Sequence, residues 1–143
     1  WIKEIILSKN RRVGDINYIF SNDEYVLEVN RKYLGHDYYT DIITFDTSEY
    51  DEQIADNKVD TISADIIISL DTVAANAVTY GADFPQELYR VIIHGILHLV
   101  GYDDLNEADS CRMRKAEDEA LALLPKFGIL GDQVYICRAK SQC

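Results

Sequence analysis

The strongest pattern of apolar and polar positions lies at residues 84–100, FPQELYRVIIHGILHLV. From Val91 to Val100 it is apolar on nearly every side, interrupted only by His94 and His98. Pro85 suits a first helical turn. The pattern predicts a helix lying in the core, with the two imidazoles set in a largely dry wall. Residues 1–8, WIKEIILS, predict the last turns of a helix, with Trp1, Ile2, Ile5 and Ile6 on its buried side. Residues 13–20, VGDINYIF, partly alternate and are rich in β-formers, which predicts a strand. Ser21 and Asn22 can cap a helix running to Leu34. On it Tyr25, Val29 and Tyr33 recur at helical spacing beside Val26, a core stripe. Gly35, His36 and Asp37 break that helix. Strands follow at 41–46, DIITFD, and 61–69, TISADIIIS, the second with a buried run of Ile66, Ile67 and Ile68. A short helix spans Asp71–Tyr80 and closes at Gly81. Asn106 caps a last helix, with Asp109 in the third place of a capping box. Met113, Ala116, Ala120 and Leu124 form its inner stripe, and Pro125 ends it. VYIC at 134–137 predicts a short terminal strand. Strands early and helices late favour an α+β layer over alternating βαβ units.

At 143 residues, 48% of them apolar and 27% charged, the chain is expected to form a single domain, 1–143. No apolar run approaches the roughly 20 residues of a membrane span, and no signal-peptide pattern opens the chain. Because the first residue is Trp1, the native start is expected to lie upstream. Cys111, Cys137 and Cys143 lack paired metal spacing, which suggests free thiols in a reducing compartment, the cytoplasm. Net charge of −11 argues against a broad electrostatic grip on nucleic acid. Any RNA contact would be local, through a few cations or a metal. The basic turn Lys9–Arg12 reads as solvated surface. The acidic stretch 46–60 reads as a solvated loop, without the regular calcium-loop pattern.

The candidate chemistry sits at residues 94–104, HGILHLVGYDD. His94 and His98 are four apart, so a helix puts both rings on one face. Gly101 can end the helix and turn the chain back, letting Asp104 reach the two rings. Two nitrogens and one oxygen, with a fourth position open for water, make the ligand set of a catalytic zinc site. Zinc lowers the pKa of its water to about 7. Nickel and other divalent ions fit the same ligands. Asp103 is a rival third ligand. Asp104 is preferred because its spacing from Gly101 and His98 matches the third-ligand place of elongated zincin motifs. After His94 stands Gly95, where an H-E-x-x-H protease carries its general-base glutamate. That argues against peptide hydrolysis by that route.

At this point the sequence resembles the YbeY family of bacterial endoribonucleases, whose pattern is close to HGxLHLxGYDH. The likeness extends to LEVNRKYLGHDYYTDIITFD at 27–46, to ADIIIS at 64–69 and to Met113 with Glu117. It implies a small mixed β-sheet packed against helices, zincin-like, with one zinc ion on the central helix and following loop. It also implies single-stranded RNA as substrate. The expected role is small-subunit ribosomal RNA 3′ end processing and ribosome quality control, with the small ribosomal subunit as partner. Position by position, His94 and His98 match the first two metal ligands, and Asp104 falls where the family usually has a third histidine. His36 stands where the family often has lysine and would supply a cation when protonated, joining His94 and His98 as a candidate catalytic residue. The family's usual arginine, a phosphate ligand, falls at Leu34, and leucine cannot replace it. Two alternatives remain: a ribosome-assembly factor with a mainly structural metal, and a metallohydrolase of another substrate.

Overall fold

Helix boundaries fall where side chains satisfy the free backbone groups of a first or last turn. The computed structural model describes residues 1–48 and 61–127. Within them the order is α1 (Ile2–Ser8), β1 (Arg12–Ser21), α2 (Asp23–Leu34), β2 (Ile42–Asp46), β3 (Thr61–Ser69), α3 (Leu70–Tyr80), α4 (Phe84–Leu99), α5 (Glu107–Leu121) and a 3-10 turn at Leu124–Phe127. Asn22 accepts from the Tyr25 N–H at 2.9 Å, Ser69 from Thr72 N–H at 3.2 Å, and Asn106 from Asp109 N–H at 2.8 Å. Each is a side-chain cap on an orphan donor. Gly35 and Gly81 close α2 and α3 at φ 66° and 64°, a left-handed conformation open to glycine. Most of the predicted acidic loop and the predicted strand at 134–137 lie outside the described residues.

The sheet runs β1-β3-β2, with β1 parallel and β2 antiparallel to the central β3. Side chains alternate along a strand, so the isoleucine run divides between two faces. Ile66 and Ile68 enter the main core, while Ile67 packs with Val26, Val29 and Ile43 beneath α2. The architecture is α+β, as expected.

On the main face, Ile62, Ile66 and Ile68 meet Val91, Ile92, Ile93, Ile96 and Leu97 of α4, with Met113, Ala116 and Ala120 of α5 beyond. Ile66, Ile68, Ile93, Ile96 and Leu97 have no more than traces of exposed surface, and each burial contributes about 2 kcal/mol. Gly95 lets α4 lie close to β2. A Cβ there would come within 2.7 Å of Ile42 Cδ1 and 2.9 Å of Thr44 Cγ2.

Two expectations need correction. Tyr25 and Tyr33 are 42% and 63% exposed. The buried side of α2 is instead Val26, Leu27, Val29 and Asn30. Among the described residues that helix meets a small patch of Ile43 and Ile67 with Phe45 at its edge, and Asn30 turns inward to donate to the Tyr38 carbonyl at 2.9 Å. Cys111 is disulfide-bonded rather than a free thiol. It stands half-buried on α5. Among the described residues, no helix is long and apolar enough to cross a membrane.

Candidate metal centre

Helical pitch brings the two histidines together. The rings of His94 and His98 lie 4.6 Å apart and nearly perpendicular, with their Nε2 atoms 3.0 Å from each other. After Leu99 the chain reverses through Gly101 at φ 108°, and the Tyr102 N–H donates back to the Leu97 carbonyl at 2.9 Å. Lys9 Nζ donates to the Tyr102 hydroxyl at 2.9 Å, and Ser110 Oγ to the Asp104 carbonyl at 3.2 Å. The loop so held presents Asp104 Oδ2 at 3.5 Å from His94 Nε2 and 3.7 Å from His98 Nε2.

These three spacings test whether one ion fits. Ligand bonds of ~2.1 Å in tetrahedral array put donor atoms ~3.4 Å apart. The observed 3.0, 3.5 and 3.7 Å bracket that value. Among the described residues, His94, His98 and Asp104 are the group able to hold a metal ion. Asp103, the rival ligand, lines a different cavity with Gly101 and Arg112. The rings are less enclosed than their apolar helix predicts, with side chains 28% and 31% exposed. α4 buries its other sides and leaves this one open.

Glu117 of α5 decides which nitrogen of His94 is available. His94 Nδ1–H donates to Glu117 Oε2 at 2.8 Å, which leaves a lone pair on Nε2 facing His98 and Asp104. A carboxylate behind a histidine in this way fixes its tautomer and orientation for a metal. Two imidazole nitrogens 3.0 Å apart need a proton or a cation between them. Arg90, one turn before His94, donates to Glu117 Oε1 at 2.9 Å and to Asp118 Oδ1 at 2.7 Å. Burial works against the charge on His94, but the hydrogen bond and charge of Glu117, with Asp104 and Asp41 behind, outweigh it and raise the pKa. Burial likewise works against an ionised Glu117, yet His94 and Arg90 together hold its pKa down.

A cavity of about 220 Å³ opens beside the cluster, walled by Asp41, His94, Asp104, Ser110, Met113 and Arg114 among others. His94, His98 and Asp104 converge as the sequence predicts. His36 does not join them. It lies on the exposed loop after α2, stacked on Tyr38 at 5.1 Å and bonded to its hydroxyl at 2.9 Å. Sequence reasoning gave no role to Arg90 or Glu117. Arg90 could have been found as the cation four residues before His94, on the helix face that carries both histidines. Glu117 was visible only as part of a family pattern.

The sequence profile described as Endoribonuclease YbeY matches residues 1–125. A Parabacteroides distasonis protein named Endoribonuclease YbeY is 52% identical over 126 residues, covering 88% of this chain and 82% of that one. A Porphyromonas gingivalis protein of the same name is 48% identical over 124 residues, covering 87% and 76%. The solution structure of TM1509 from Thermotoga maritima aligns with a TM-score of 0.55 at 27% identity, covering 88% of this chain and 80% of that one. With a profile match over most of its length and relatives near half identity, the chain belongs to the endoribonuclease YbeY family.

Proposed function

We propose that this chain is a metal-dependent endoribonuclease that cuts single-stranded RNA during ribosomal RNA maturation and quality control, with zinc as its ion. The observation that carries the reading is the convergence of His94 Nε2, His98 Nε2 and Asp104 Oδ2 beside an open cavity, in a chain of this family. Bound there, the ion would supply Lewis-acid charge stabilisation for a phosphodiester. The protein's own part is to position. Helix α4 fixes both histidines, the Gly101 turn delivers Asp104, and Glu117 keeps the His94 lone pair pointed inward. Arg90 keeps Glu117 ionised.

A small-subunit assembly factor with a mainly structural metal is the second reading, motivated by the net charge of −11 and by Leu34. Three protein ligands beside an open cavity favour the catalytic reading, because structural zinc sites are closed by four. The test is cleavage of single-stranded RNA by the purified protein, with His98→Ala beside it. Cleavage should depend on added divalent metal and vanish in the variant. Equal cleavage after full metal removal would overturn the proposal.

A further inference from the structure

The cavity beside the metal cluster has a charge problem. Its wall carries the carboxylates of Asp41, Asp104 and Glu117, and a phosphodiester approaching it is also an anion. One cation of that wall, Arg90, is already bound to Glu117 and Asp118, and its side chain is only 6% exposed. Leu34, the position at which the sequence resemblance implies an arginine, is an exposed apolar side chain on α2 and brings no charge to the wall. The remaining cation of the cavity wall is Arg114. It forms no ion pair among the described residues.

Its place on α5 follows from helical spacing. Ser110, Met113, Arg114 and Glu117 recur at three and four residues, and all four line the cavity. Ser110 steadies the Asp104 loop and Glu117 orients His94, so the same helix face that builds the metal site also carries the half-buried Arg114. A guanidinium is a planar fork that matches two phosphate oxygens at once. We propose that Arg114 is the phosphate-binding residue of this chain, holding the RNA backbone at the metal site. The proposal rests on the endoribonuclease reading above.

The experiment measures binding apart from turnover. A short single-stranded RNA with 2′-O-methyl riboses, which resists cleavage, is titrated with metal-loaded protein at several salt concentrations. Arg114→Ala should bind about tenfold more weakly, the loss of one charged hydrogen-bonded contact. Its plot of log affinity against log salt should be shallower by about 0.7, the slope for one phosphate of a single strand. Metal content should stay that of the wild type, and Arg114→Lys should restore the salt slope with only part of the affinity. Unchanged affinity and slope in Arg114→Ala, with the wild type binding normally, would overturn the assignment alone. Loss of metal in Arg114→Ala, unrestored by lysine, would make the arginine a structural member of the site and overturn it too. A wild type that neither binds nor cuts single-stranded RNA would overturn the endoribonuclease reading, and this proposal with it.

Discussion

Replacing Glu117 by glutamine keeps its shape and removes its charge. In the native chain one carboxylate oxygen accepts from His94 at 2.8 Å and the other from Arg90 at 2.9 Å. Both partners are donors. A glutamine amide has one acceptor oxygen and one NH₂, so whichever way it turns, one donor faces another. The relaxed solution is for His94 to switch tautomer, which puts a proton on Nε2 where the metal needs a lone pair. Outer partners of this kind are worth about 10–100-fold in metal affinity, or roughly 1.4–2.8 kcal/mol. Breaking a buried charge pair costs about 3–5 kcal/mol. Arg90 keeps its 2.7 Å contact with Asp118, so the lower end applies, a Tm lower by about 10 °C. Competition against a chromophoric chelator reads the affinity, and a thermal melt of the metal-free protein reads the stability. Metal affinity within twofold of wild type in a folded Glu117→Gln would refute the claim that this carboxylate sets the His94 tautomer.

Asp104→Ala should abolish stoichiometric metal in elemental analysis while Asp103→Ala retains it, because of these two carboxylates it is Asp104 that reaches the Nε2 atoms of both histidines; equal metal content in the two variants would contradict that assignment. Gly95→Ala should lower stability by about 1–3 kcal/mol through overpacking, seen as a lower denaturation midpoint, since its methyl would press on Ile42 and Thr44. A pH series on metal-free protein tests the His94–Glu117 pair. The folded pKa of His94 is raised above its usual 6.5, so its stabilisation is full below that pH and is lost as pH rises through the raised value. Glu117 is lowered from 4.5, so its stabilisation is present above that pH and is lost as pH falls through the lowered value. The stability difference between wild type and Glu117→Gln should therefore be largest between pH 4.5 and 6.5 and shrink toward alkaline pH. A difference that grows from pH 6.5 upward would contradict it.

Local chemistry made most of the fold legible. Caps at Asn22 and Asn106, the glycines at 35 and 81, and the apolar breadth of α4 each mark an element near its observed bounds. The metal triad was legible for the same reason, since His94, His98 and Asp104 lie within eleven residues and one turn of chain joins them. What the sequence hid is long-range. The inward side of α2 depends on how small a patch Ile43 and Ile67 offer, which no spacing of tyrosines reveals. The half-open setting of the histidine rings depends on where α5 stops covering α4. The Arg90–Glu117–His94 chain bridges two helices across more than twenty residues, and no local spacing shows that its members meet.

The close approach at Gly95 has a consequence for what this scaffold can become. The room into which a peptidase would aim its glutamate, next to the first histidine, is filled here by the Ile42 and Thr44 side chains of β2. Acquiring amide hydrolysis by that route would require those side chains to be trimmed or moved before a carboxylate could be seated. A single substitution at the glycine would disturb that packing, so the chemistry open to the fold is narrowed by its packing as much as by its ligands.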